Sequence, residues 1–166
     1  MIKKLLVFIS MILIIGSVVI SSKPSIASEA PIQPILDVNI DPDLHLSHIS
    51  HIGREDLAGI LYIHEYWVND KKNGKKSIII NRWIFENSKE IDAFIKDSLG
   101  ISYRCNFDKW DTITDIGDKT HWMEPGVVIF AKGKTLVKIW ARLGDISPDS
   151  KKEYTRKIAK SIAKKL

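Results

Sequence analysis

Two apolar runs separated by a polar octet constrain this chain more than any other feature. Residues 57–68 read LAGILYIHEYWV and residues 77–86 read SIIINRWIFE. Both are dense in branched and aromatic side chains, which suit a pleated, largely covered surface. Between them lies NDKKNGKK, in which Asn73-Gly74 has the backbone freedom a tight reversal needs. The pair is expected to form an antiparallel hairpin, and the rest of the chain must pack around it.

The chain beyond the hairpin is well punctuated. Spacing predicts a helix over 87–99, capped by Asn87 or Ser88, with Glu90 at its third position and Gly100 as its stop. Ile91, Phe94, Ile95 and Leu99 fall on one stripe of that helix. A short strand is expected over 101–107 and a long irregular connection over 108–126. Strands over 127–131 and 135–142 are joined by Lys132-Gly133-Lys134. The last helix, 147–166, starts at Ser147 with Pro148 in the first position, where a missing N–H costs nothing. Its buried stripe is Tyr154, Ile158, Ile162 and Leu166, and lysines fill the opposite face and the last turn. Hairpins dominate, so the fold class is α+β: a largely antiparallel sheet packed by two helices, 87–99 and 147–166, on one face or both.

Residues 1–27 have the layout of a secretory signal peptide. Lys3 and Lys4 precede an apolar run over 5–20, and Ser25 and Ala27 offer a small-residue cleavage site. The run is shorter than the roughly 20 residues of a spanning helix. Cleavage and a secreted or extracytoplasmic location, in a periplasm or at a cell surface, are expected. An uncleaved run would instead anchor the chain, which is the sole membrane association foreseen. Residues 28–56 read as an extended Pro- and His-containing linker, leaving 57–166 as a single domain. Lys3, Lys4 and Lys23 leave with the signal, so the formal charge of +5 falls to about +2. That balance gives little reason to expect a concentrated basic face, and nucleic acid is not an expected partner. Cys105 is the single cysteine, so the fold has no internal disulfide and must stand on its core. Burial as a small hydrophobe is the commoner fate of such a residue; a reactive thiol or an intermolecular bridge is the other reading.

Two stretches could carry chemistry. His45, His48 and His51 lie three apart in DPDLHLSHISHIG, which gathers them on one side of a helical or 3₁₀ segment. Imidazole suits zinc or copper, although neither HExxH nor a closed Cys/His pattern is present. Solvated loop histidines are the plainer reading, and a strand would send alternate rings to opposite faces. The second stretch runs from Trp110 to Trp122. Trp110, Asp118, His121 and Trp122 are candidate contacts for a small ligand, with aromatic faces beside a carboxylate and an imidazole. Asp118 after Gly117 equally suits a turn in a plain connecting loop. His64 and Glu65 are neighbours on a strand and must point to opposite faces, so they are no acid–base pair. No GxSxG and no glycine-rich phosphate loop occurs.

The second half has a further cadence: RWIFENSKEIDAFI, the Gly-Asp turn in DIGDKTHW, the hairpin VVIFAKGKTLVKIW and the helix YTRKIAKSIAKKL. Over residues 57–166 this resembles small bacterial and archaeal extracytoplasmic α+β domains, similar in layout to PsbP/Mog1-like and sensor-type domains. The resemblance implies a fold and a non-enzymatic role, and it carries no catalytic residue across. The expected function is therefore a non-catalytic secreted or envelope-associated domain that binds an envelope protein or a small ligand, without a resident cofactor. Extracytoplasmic metal binding through the three histidines is the alternative. An envelope hydrolase is the third, and it would require a deep pocket holding a carboxylate or His of shifted pKa.

Overall fold

A computed structural model describes residues 32–37, 39–69, 76–99, 110–111 and 115–166. The signal peptide expected over 1–27, the turn expected at Asn73-Gly74, the helix stop expected at Gly100, the short strand expected over 101–107 and Cys105 lie outside the described residues. Six strands form one sheet: β1 (His45–Ile52), β2 (Leu61–Asn69), β3 (Lys76–Ile84), β4 (Lys119–Glu124), β5 (Val127–Lys132) and β6 (Thr135–Arg142). Their order is β1-β2-β3-β6-β5-β4, and every neighbouring pair is antiparallel. Helix α1 (Glu90–Phe94) runs into a π-helical turn, Ile95–Leu99, and helix α2 spans Pro148–Lys165. The architecture is the expected α+β layout. Two three-stranded meanders meet where β3 pairs with β6, and each is followed in the chain by a helix.

The opening hairpin forms in the register its pattern demands. Leu61 lies opposite Ile84 and Asn69 opposite Lys76. β2 starts later than residue 57 because 54–60 turn back on themselves, with Gly59 N donating to Arg54 O at 2.8 Å and Ile60 N to Leu57 O at 2.9 Å. Alternation then sends Trp67, Ile78, Ile80, Val128, Phe130, Val137 and Ile139 to one face, where they pack with Ile158, Ala159 and Ile162 of α2. Trp83, Ile129, Ala131 and Leu136 point the other way and pack with Ile91 and Ile95 of the α1 segment. β5 and β6 are covered on both faces over much of their length, which is why they read as continuous apolar runs rather than alternating ones.

The helix ends largely follow the sequence. Ser147 Oγ accepts from Ser150 N at 3.1 Å, and Pro148 opens α2. The buried stripe stops short of Leu166, which is 41% exposed, and Thr155 is buried beside the half-buried Tyr154. At the other helix, Asn87 Oδ1 accepts from Lys89 N at 3.0 Å. Asn87 therefore starts a turn ahead of the regular helix, which begins at Glu90 without a side-chain cap of its own.

Two segments differ from expectation. The linker foreseen over 28–56 contains β1, and residues 33–166 belong to one compact unit. Histidines and serines dominate β1, so it reads as polar. Only Leu46 and Ile49 are half-buried and the rest are exposed, because an edge strand needs to bury few side chains. The connection foreseen over 108–126 contains β4, whose six residues are too few and too polar for a legible period. Gly117 has φ +65°, and a side chain there would collide with the Ala131 carbonyl oxygen. That close approach allows Asp118 N to donate to Ala131 O at 2.8 Å and opens the β4–β5 hairpin.

The residues before β1 are fastened to the α2 side of the sheet. Glu65 is fully buried there. Ile35 N donates to both its oxygens at 3.2 Å, Trp67 Nε1 donates at 3.1 Å and Arg82 Nη2 at 2.7 Å. The same Arg82 nitrogen donates to Gln33 O at 3.1 Å. A carboxylate at this depth must be paired this thoroughly. From α2, Tyr154 Oη donates to Asp41 at 2.6 Å and Lys165 Nζ to Ile35 O at 2.9 Å.

Candidate functional site

The face opposite α2 is a graded surface, because direct cross-strand pairing sorts its side chains into rows. Ile52, Tyr62, Trp83, Leu136, Ala131 and Lys119 form the row nearest α1. The next row is Ser50, His64, Asn81, Lys138, Ile129 and His121, polar at five of six positions. The third is His48, Tyr66, Ile79, Trp140 and Val127. The α1 segment packs with the first row. Toward the third row the surface opens: His48 and Trp140 are exposed, and Tyr66 and Ile79 are half-buried.

A hydrogen-bond network organises the middle row. Asn81 Oδ1 accepts from Tyr62 Oη at 2.8 Å and lies 2.8 Å from His64 Nδ1. With that oxygen as acceptor, His64 carries its proton on Nδ1 and keeps the Nε2 lone pair. The His48 ring lies 6.4 Å from that of His64, tilted by 52°. Further along the third row, the Arg142 guanidinium stacks 4.1 Å over Trp140. Both line a shallow cleft of about 370 Å³ with Glu124, Gly126, Pro148 and Lys151.

The histidine triplet is divided by its own strand. A bulge between Leu46 and His48 lets His45, opposite Val68, and His48, opposite Tyr66, share the graded face. His51 lies opposite Ile63 and projects from the α2 side. Among the described residues, no group of three or more His, Cys, Asp or Glu is placed to hold a metal ion.

The Trp110–Trp122 set is likewise split. Trp110 packs with the α1 cluster and donates to Asp92 at 2.8 Å, whereas Trp122 packs on the α2 side with Lys152 5.3 Å over its ring. His121 and Trp122 are neighbours on β4 and point to opposite faces. Asp111 holds this edge: its N–H donates to Thr120 O at 2.8 Å, and its carboxylate accepts from Trp122 N at 3.2 Å and meets His121 Nδ1 at 3.3 Å. Asp118 sets a turn. Gly133 N donates to it at 2.7 Å, and that bond, with Lys132, holds its carboxyl below the usual carboxylate range. Asp115 is lowered chiefly by Lys160, which bonds it at 2.6 Å.

Of the middle row, sequence reasoning singled out only His121 as a site candidate. His64 reads as a polar tenant of an apolar strand, and Asn81 and Lys138 look like isolated interruptions. The available signal was their register: each breaks an apolar strand at the level where its neighbour does. Among the described residues, no helix is long and apolar enough to cross a membrane. The chain matches no family model, no curated protein and no solved structure.

Proposed function

We propose that this is a non-catalytic binding domain of the cell envelope, whose contact surface is the graded sheet face from His64 and Asn81 to Tyr66 and Trp140. The carrying observation is the side-by-side arrangement of a hydrogen-bonded polar row and a solvent-reached aromatic row on one rigid sheet. Such a surface suits a ligand or partner segment that lays an apolar ring or ridge over Tyr66 and Trp140 and offers polar groups to the row beside them. The export-type N-terminus supports the envelope setting. The likeness in layout to PsbP/Mog1-like and sensor-type domains fits a binding role.

The experiment is nuclear magnetic resonance shift mapping of the chain against a set of small aromatic and polar ligands. Saturable shifts centred on His64, Tyr66 and Trp140, lost in Tyr66→Ala, are expected. Shifts centred on Trp122 would move the contact surface to the opposite side of the sheet. Turnover of any added substrate, abolished by His121→Ala, would replace the binding reading with an enzymatic one.

A further inference from the structure

We infer that His48 and His64 form a two-histidine site for a first-row divalent metal ion, with Cu²⁺ preferred. The two residues sit diagonally across the β1–β2 pair, His48 opposite Tyr66 and His64 opposite Ser50. Long side chains in this relation can reach one another. Their rings are 6.4 Å apart. With ring nitrogens about 2.0–2.1 Å from the ion, a bent N–metal–N angle needs the rings closer than that, and rotation of the exposed His48 side chain would close the gap.

His64 is prepared as a ligand by its surroundings. Metal-bound histidines usually give their second ring N–H to an oxygen acceptor, which fixes the tautomer and the ring plane. Asn81 Oδ1, 2.8 Å from His64 Nδ1, is that acceptor. It is itself held by Tyr62 Oη, and Asn81 is only 7% exposed. His64 is thus oriented by a buried amide before any ion arrives. Two imidazoles with water in the remaining positions favour Cu²⁺ over Zn²⁺ by the general order of divalent affinities. The nearest cation in the same row, Lys138, is two strands away from β2, or about 9–10 Å at ordinary strand spacing.

This site differs from the evenly spaced triplet that the sequence offers. It keeps His48, excludes His51 and recruits His64 from another strand. It shares a face with the proposed binding surface without depending on it, since an ion can bind whether or not a partner does.

The test is calorimetric titration of the full chain with Cu²⁺ and Zn²⁺ in a non-coordinating buffer, joined to electron paramagnetic resonance of the Cu²⁺ form. One saturable equivalent is expected, tighter for Cu²⁺, with a signal showing two imidazole nitrogens. His48→Ala and His64→Ala should each weaken binding at least tenfold, and His51→Ala should leave it unchanged. His48 is exposed, so its removal leaves the core intact, and the fall from two coupled nitrogens to one in His48→Ala reads the ligand directly. Absence of a saturable equivalent would overturn the site. So would a signal unchanged in His48→Ala, or a loss in His51→Ala as large as in His48→Ala. These outcomes concern the ion alone and leave the shift-mapping test of partner binding separate.

Discussion

The two faces of the sheet treat their polar residues in opposite ways. On the α2 side, Glu65 is sealed from water and its oxygens are occupied by Ile35 N, Trp67 Nε1 and Arg82. Nothing about it is offered to a ligand. On the other side, Asn81 spends its oxygen on Tyr62 and His64, which leaves a half-buried imidazole with its second nitrogen uncommitted by that network. The same sheet therefore carries one polar group used to close the fold and another used to aim a side chain. Burial with full pairing marks the first kind, and a fixed orientation at a solvent-reached surface marks the second.

The largest test of this contrast is Glu65→Ala. It strands the Arg82 guanidinium, whose Nε already has no hydrogen-bond partner among the described residues, and removes the acceptor of Ile35 N. A loss of about 3–5 kcal/mol in urea unfolding is expected, and a loss under about 1 kcal/mol would erase the difference between the faces. Next is Ile158→Ala, expected to cost about 2–5 kcal/mol because it opens a cavity in a completely buried layer. Ile79→Ala, at a half-buried position of the graded face, should cost less than half as much, and equal losses would mean that both faces are equally sealed.

Tyr154→Phe should come third, at about 1–3 kcal/mol, for a lost hydrogen bond to a charged group. Its pH dependence sharpens the reading. Burial raises the Asp41 carboxyl, but Tyr154, Lys76 and the Asp43 N–H outweigh it and leave its pKa below the ordinary value. A lowered carboxylate stabilises the fold fully above the unfolded pKa of about 3.9, and that contribution fades as pH falls through the folded value. The gap between the native chain and Tyr154→Phe should therefore be constant from about pH 5 to 7, by that same argument, and shrink below about pH 4. The smallest effect belongs to His48→Ala, which should change stability by no more than about 0.5 kcal/mol while removing ion binding. A large destabilisation would return His48 to a structural role.

Much of the fold was legible because strong local signals agree with one another. The β2–β3 hairpin, the β5–β6 pair and α2 each combine an apolar pattern with suitable turn or cap residues, and each appears where expected. β1 and β4 were hidden because both are sheet edges: they bury few side chains, so histidine, serine and lysine fill them and the period vanishes. The candidate site was hidden for a different reason. His48, His64 and Asn81 come from three strands, and only the bulge before His48 and the register of β2 against its neighbours bring them together. Spacing along the chain points to His51, whereas pairing across strands points to His64. No single-strand pattern holds that information.

The fastening of residues 33–41 to α2 also has a consequence for the order of assembly. Lys165 reaches Ile35 across 130 positions, and Tyr154 reaches Asp41 across 113. The earliest part of the compact unit thus waits for the last-made part before its contacts can close. Such long-range closure slows folding, and a chain still lacking its final helix would expose the apolar layer of Ile78, Ile80, Val137 and Ile139. For this protein, completion is a late event, and a chain that still lacks α2 has reason to need shelter until that helix is in place.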